Sequence, residues 1–385
     1  LSIYFRYLCA SGFAATSLSC SNTKFLKEGQ MLYTGAEVKI ENDSLSKKER
    51  KDLKAALETN LTPKPNSTFL GLRPKLYFYN IAKEPKKEKG FNYWLKYKMG
   101  EKPVLLGDVD REFNKDIIEN YSENKGYFNA RATYDTVSKN KKAQVIYTLK
   151  PGSRYLISNV KFQKDSSLVN KEIQNLTNKT FLKPNRPFDL DVIKNERERI
   201  DNGLKEKGFY YFHPDNIIVQ ADSTISKNHK VELNVKLKDN TPDLSTQQFS
   251  IDKVIVFPTY NIQDVRDGKY HIPMNADSLS GYAYNDIYVV DPQHKFKPKI
   301  FDRALYFKKG DVYNRTNHNL TLNRLISLGV FKFVKNEFIT SDSLQHKFDA
   351  YYLLTPREIQ SLRLEALGRT NSANYAGSEL NLNWT

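Results

Sequence analysis

The stretch Asn124-Lys-Gly-Tyr-Phe-Asn129 decides how the rest of the chain reads. Ahead of it, Phe113, Ile117, Ile118 and Tyr121 fall on one helical face, and Gly126 stands where a left-handed residue closes a helix. Behind it, Phe128, Ala130, Ala132 and Tyr134 alternate with Asn129, Arg131, Thr133 and Asp135, the period of a strand with one covered face. The junction is written twice more. Leu190, Ile193, Ile200 and Leu204 lead to Lys207-Gly-Phe-Tyr-Tyr-Phe212, and Leu322, Leu325 and Ile326 lead to Leu328-Gly-Val-Phe-Lys-Phe333. Each copy is followed by a second alternating strand: Ala143, Val145, Tyr147, Leu149; then Val231, Leu233, Val235, Leu237; then Phe348, Ala350, Tyr352, Leu354.

Upstream of each glycine lies one more strand and one more helix. Val38 and Ile40 open the first unit, and Ser46 starts a helix on which Leu53, Ala56, Leu57 and Leu61 share a face. Tyr155, Ile157, Val160 and Phe162 open the second, and Phe249, Ile251, Val254 and Val256 the third. The expected fold is therefore α+β, three tandem β-α-α-β-β repeats over 33–152, 153–240 and 246–356. The first repeat carries a basic, aromatic insertion at 66–104. The interval from Gly208 to Gly329 exceeds that from Gly126 to Gly208, and the third repeat holds an insertion at 258–297. Helices on one face of a three-stranded sheet leave the other face and at least one edge open, and open edges are used by some proteins to pair with other chains.

Composition narrows the function. Lys and Arg number 60 against 44 Asp and Glu, a net charge of +16, but the lysines are scattered and no RNP-like or glycine-rich motif focuses them on nucleic acid. Anionic lipid remains a candidate partner. The two cysteines, Cys9 and Cys20, precede the folded part, which excludes a disulfide framework there. His213, His229, His271, His294, His318 and His346 stand singly and are expected at the surface or in loops; no metal or cofactor is expected. No nucleophile, His and carboxylate set has a recognisable setting, so an enzyme is not expected.

The two ends differ from the repeats. Residues 1–20 read as a targeting segment: Arg6, then an apolar, small-residue run, then Ser17-Leu-Ser-Cys20. This resembles a bacterial lipoprotein signal, which implies lipidation at Cys20. In 357–385, Leu362, Leu364 and Ala366 and then Leu380, Leu382 and Trp384 alternate with polar residues around a turn, the pattern of a transmembrane β-hairpin. A spanning sheet must close, so the rest of a barrel is expected after Thr385.

Repeats with this glycine junction at Gly126, Gly208 and Gly329 resemble POTRA domains, the periplasmic modules of outer-membrane assembly factors, and Leu364-Glu-Ala-Leu-Gly-Arg-Thr-Asn371 resembles the opening strand of their barrel. Three repeats behind Cys20, with Asp291-Pro-Gln-His-Lys295 and the segment from Lys309 to Arg324, are similar to the TamA-like lipoprotein branch (TamL); a BamA-type insertase is the alternative. The resemblance implies a non-enzymatic assembly or translocation role at the outer membrane. Its implied partners are the outer-membrane bilayer, a TamB-like periplasm-spanning protein docked on the first repeat, and unfolded outer-membrane proteins, with no nucleic acid. It also implies that the strand after each glycine is the exposed edge, over 128–137, 217–222 and 333–339. The candidate binding residues there are Phe128, Ala130, Ala132, Tyr134, Ile217, Val219, Ala221 and Phe333.

Overall fold

The computed structural model describes residues 22–42, 45–224, 229–261, 281–341, 346–358, 362–370 and 376–384. Cys20 and the rest of the targeting segment lie outside them. The chain divides into two compact units. One is Leu1–Asn159 with Lys183–Asp191 and Asp222–Glu232; the other is Val160–Leu182 with Val192–Ala221 and Leu233–Thr385. The first repeat lies in the former and the third in the latter.

The first repeat runs β1 (Leu32–Ile40), α1 (Lys47–Asn60), α2 (Pro74–Ile81), α3 (Phe91–Tyr93) continuing into a π-turn at Trp94–Met99, α4 (Arg111–Asn124), β2 (Arg131–Lys139) and β3 (Lys142–Lys150). Its sheet order is β1-β3-β2, with β1 parallel and β2 antiparallel to β3. The Ser46 hydroxyl accepts from Glu49 N–H while the Glu49 carboxylate accepts from Ser46 N–H, a capping box that fixes the start of α1. Val145, Tyr147 and Leu149 of β3 are fully buried against Val38, Leu57 and Ile118. Burial pushes the Tyr33 phenol, which lies in the same core, up to about 12, with Tyr147 adding to the shift.

One expectation fails here. Phe113 is exposed, and the buried stripe of α4 is Asn114, Ile118 and Ser122. Asn114 takes a core slot because its amide donates to Thr62 C=O at 2.6 Å and accepts from Thr62 N–H at 2.9 Å, satisfying the chain as it leaves α1.

The second repeat has β4 (Leu156–Phe162), α5 (Leu168–Asn175), α6 (Leu190–Lys205), β5 (Ile217–Asp222) and β6 (Lys230–Leu237), with order β4-β6-β5. On α6 the fully buried Glu196 carboxylate is held by the Arg199 guanidinium at 2.7 and 2.9 Å and accepts from Phe181 N–H at 2.9 Å.

The third repeat has β7 (Ser250–Phe257), β8 (Tyr282–Tyr284), β9 (Ile287–Val289), α7 (Lys299–Ala304), α8 (Arg315–Ser327), β10 (Phe331–Thr340) and β11 (Lys347–Pro356). Its sheet is five-stranded, β10-β11-β7-β9-β8. Within the insertion at 258–297, β8 and β9 extend the sheet beside β7, and residues 262–280 lie outside the described residues. One expectation is corrected, that of an open second face: Ile255, Phe257, Val290, Tyr351 and Leu353 form a buried cluster of their own, apart from the one around Val254, Val256, Ala350, Tyr352 and Leu354. Uninterrupted apolar runs in β7 and β11 mark strands covered on both faces. Ile326, expected in the core, is exposed, while Leu325 and Thr321 are buried.

β12 (Leu362–Thr370) and β13 (Ala376–Trp384) pair antiparallel in a separate two-stranded sheet. No helix among the described residues is long and apolar enough to cross a membrane.

Candidate functional site: sheet edges and repeat joints

The two edges of each sheet are treated differently. The outer edge of each first strand is met by the chain leading into the repeat's second helix. Tyr33 N–H donates to Val104 C=O at 2.9 Å and Leu106 N–H to Met31 C=O at 2.9 Å. Ile157 N–H donates to Arg186 C=O at 2.8 Å and Asn185 N–H to Ile157 C=O at 2.7 Å. Ile251 N–H donates to Asp311 C=O at 2.8 Å and Gly310 N–H to Ile251 C=O at 2.7 Å. In the third repeat β9 pairs with β7 as well. On the other side, β2, β5 and β10 each end their sheet, with no strand outboard of them among the described residues.

The candidate residues on those strands sort into three groups. Ala130, Ala132 and Ile217 are buried and point into the repeats' own cores, because every second residue of a half-covered strand faces inward. Tyr134, Ala221 and Phe333 are exposed, Phe333 at 62%, and Val219 is half-buried. Phe128 and Ala130 precede the strand, which begins at Arg131. A visiting strand would therefore meet main-chain groups and a few outward side chains. The edges also carry charge, with Arg131, Asp135 and Lys139 on β2 and Lys332, Lys335 and Glu337 on β10, which discourages unselective edge-to-edge pairing.

Phe128 belongs to a second device that the sequence reading missed. At Gly126 (φ +90°) the chain leaves α4, and its carbonyl accepts Tyr155 N–H at 2.8 Å, at the head of β4. Arg154 Nε donates to Lys125 C=O at 2.9 Å, and Phe188 N–H donates to Tyr155 C=O at 2.9 Å. The Phe128 ring sits 4.7 Å from Tyr155 and 4.9 Å from Phe188, and Lys125 Nζ reaches Asp189 and Asp191, each at 2.9 Å.

The same joint is built again at Gly208 (φ +94°). Its carbonyl accepts Phe249 N–H at 2.9 Å, Gln248 Nε2 donates to Lys207 C=O at 2.7 Å, and Tyr313 N–H donates to Phe249 C=O at 3.0 Å. The Tyr210 ring lies 4.9 Å from Tyr313 and 5.0 Å from Phe348. Arg315 donates to Asn202 at 2.6 Å and faces Asp201 at 3.7 Å. The signal was present in the sequence: an aromatic heads each of these strands, and another precedes each second helix, at Tyr155 and Phe188 and again at Phe249 and Tyr313.

Glycine is required at both joints by sterics as well as by φ. A Cβ on Gly126 would lie 2.7 Å from Phe188 O, and one on Gly208 would lie 2.6 Å from Gln248 Cγ and 2.8 Å from Val312 Cγ1. Gly329 differs. Its φ is +71°, yet a Cβ there would meet nothing within 4 Å, and the neighbouring Leu328 and Val330 are exposed.

The histidines also fall into a pattern. His229 and His346 occupy left-handed positions in the turns before β6 and β11, and each carbonyl accepts the N–H that opens the repeat's first strand, from Leu156 at 3.0 Å and Ser250 at 3.1 Å. His318, on α8, is half-buried against Phe338 with Tyr313 Oη 3.2 Å from its Nδ1, and burial, helped by Arg315, holds its pKa below the ordinary value. Among the described residues no cluster of His, Cys, Asp and Glu could hold a metal ion.

In the terminal hairpin, Leu362 faces Trp384, Leu364 faces Leu382 and Ala366 faces Leu380. All six are exposed, and they make one continuous apolar stripe opposite Arg363, Glu365, Asn381 and Asn383.

No protein-family model matches the sequence, and no curated protein matches it. Solved structures do match. The POTRA3-5 fragment of BamA from Haemophilus influenzae aligns at 14% identity over 86% of this chain and 99% of that one, with a TM-score of 0.37. POTRA1-3 of the periplasmic domain of Omp85 from Anabaena aligns at 13% identity over 86% and 98%, with a TM-score of 0.25. BamA from Haemophilus ducreyi lacking POTRA domains 1-3 aligns at 15% identity over 56% of this chain and 32% of that one, with a TM-score of 0.34, so the matched part spans about a third of that protein.

Proposed function

We propose that the chain is a non-enzymatic assembly or translocation factor of the Omp85 type, working at the outer membrane. In this reading its three repeats, over 33–152, 153–240 and 246–356, handle client or partner chains by strand addition and pass them toward a membrane hairpin at 357–385. The observation that carries the proposal is the one-sided treatment of the edges. Part of the outer edge of each first strand is paired by its own repeat's chain, while no strand among the described residues lies outboard of β2, β5 or β10. Main-chain pairing along such an edge supplies affinity with little sequence preference, which suits a handler of many unfolded clients. The exposed stripe of β12 and β13 supports the membrane end of the reading, because an isolated two-stranded hairpin with an apolar face is at best marginal in water.

Within this class we favour the TamL branch, with Cys20 lipid-anchored and the first repeat facing a TamB-like partner, on the sequence resemblance alone. The mass of the mature N-terminus separates it from a BamA-type insertase: diacylglycerol on Cys20 favours the first, a free or absent cysteine the second.

Amide hydrogen exchange on the full chain, with and without an unfolded outer-membrane protein segment, tests the strand-addition step. Added protection is expected in β2, β5 or β10 and not in β1, β4 or β7. Protection confined to helices, or none anywhere, contradicts it.

A further inference from the structure

Residues 66–104 are not needed to complete the first repeat's sheet, yet they form a body with a pinned inner side and an apolar outer side. On the inner side Leu76 is buried with Leu26 and Leu32, Asn22 Nδ2 donates to Arg73 C=O at 3.3 Å, and the buried Asn66 bridges Lys102 C=O at 2.7 Å and Val104 N–H at 3.0 Å. On the outer side Phe69 and Leu72 close a tight turn by exchanging N–H donors at 2.8 and 3.0 Å, which holds Leu70 at the tip, 87% exposed. Phe91, 72% exposed, and Trp94, 48% exposed, lie with ring centroids 6.1 Å apart on the other arm. Lys and Arg outnumber Glu in this stretch by nine to three, and Asp is absent.

We infer that this body is a membrane-apposed surface that seats on an anionic phospholipid bilayer, with the Phe69–Leu72 turn and the Phe91/Trp94 pair entering the headgroup boundary. Three observations favour a bilayer. Exposed Leu and Phe at a turn tip, with exposed Phe and Trp and many lysines in the same stretch, is the composition of an interfacial anchor, whereas protein interfaces are depleted in lysine. A surplus of six positive charges complements acidic headgroups. Finally, a cleft of about 290 Å³ beside the turn, lined by Asn22, Leu72, Arg73, Tyr77 and Lys142, includes two cationic residues with which a headgroup phosphate would pair.

The test uses the full chain carrying Cys20→Ser, so that no acyl chain contributes, and Trp384→Phe, which leaves Trp94 as the sole tryptophan. Phosphatidylcholine vesicles with and without phosphatidylglycerol are the probe. The expected result is a blue shift of Trp94 emission with the anionic vesicles alone, reduced at least about tenfold by Leu70→Asp with Phe91→Asp and more modestly by Arg73→Gln. An unmoved Trp94, an equal shift with neutral vesicles, or a shift indifferent to Leu70→Asp with Phe91→Asp overturns the inference, as does an oligonucleotide that shifts Trp94 where vesicles do not. In the complementary Trp94→Phe chain, Trp384 reports insertion of the hairpin, which does not require anionic lipid. Failure of the client-handling proposal would leave the Trp94 result unchanged.

Discussion

Replacing each junction glycine by alanine separates sterics from backbone conformation, because the three sites share a positive φ and differ in what surrounds them. The left-handed conformation costs an alanine about 1 to 2 kcal/mol at every site. At Gly126 the added Cβ also lies 2.7 Å from Phe188 O, a backbone atom held in place by the Tyr155 pairing, and relieving that overlap should add about 1 to 3 kcal/mol. At Gly208 the nearest obstacles are side-chain atoms of Gln248 and Val312, which can turn, though Phe249 O stays at 3.1 Å. At Gly329 nothing lies within 4 Å. The expected order of loss is Gly126→Ala, about 3 kcal/mol, then Gly208→Ala, then Gly329→Ala, about 1 kcal/mol. Amide exchange at Tyr155 N–H and Phe249 N–H reads the joints directly, since both donate to the mutated residues' carbonyls. A loss of about 3 kcal/mol appears as roughly a hundredfold faster exchange at Tyr155. Equal losses at all three glycines would refute the claim that the first two are packed joints and the third is not.

Other outcomes follow from the same geometry. Phe128→Ala should cost about 3 kcal/mol in urea unfolding of the first joint, since the ring packs on both Tyr155 and Phe188, whereas Phe113→Ala, already exposed, should cost less than about 0.5 kcal/mol. Glu196→Ala strands Arg199, whose side chain is only 15% exposed, and frees Phe181 N–H; a loss of about 3 kcal/mol in thermal or urea unfolding is expected. His318 has a folded-state pKa below its unfolded value, so the unfolded chain binds more protons in the interval between them. The stability it contributes is present above about pH 6.5 and is lost as pH falls toward the folded pKa. The urea midpoint of the third repeat should drop on acidification, and His318→Gln should flatten that slope; an unchanged slope would count against a neutral, buried imidazole.

Period-two alternation over Ala143–Leu149, Val231–Leu237 and Phe348–Leu354 identified the strand at the centre of each repeat, and these inward side chains are buried except Leu237, which is half-buried. The helices were less legible. A buried Asn114 displaced Phe113 from the core face of α4, and a polar residue satisfied by a loop backbone leaves no hydrophobic trace for periodicity to find. Both-sided burial in the third sheet was visible in the unbroken apolar runs of β7 and β11, but the expectation of a two-layer repeat hid it. At the edges, reading the alternation selected Ala130, Ala132 and Ile217, which face inward, whereas a chain added there would meet main chain and outward residues such as Phe333. The joints span sequence gaps that no local period covers, and their only trace is aromatics recurring at matched places in successive repeats.

Photo-crosslinking from the sheet edges tests the central claim most directly. A crosslinking amino acid placed at Thr133, Val219 or Lys335, on the strands that end the three sheets, should capture unfolded outer-membrane proteins of unrelated sequence. The same probe at Met31 or Leu156, where the first two repeats pair that edge with their own chain, should capture few. Equal capture at all five positions, or none from β2, β5 and β10, would contradict strand addition at these edges.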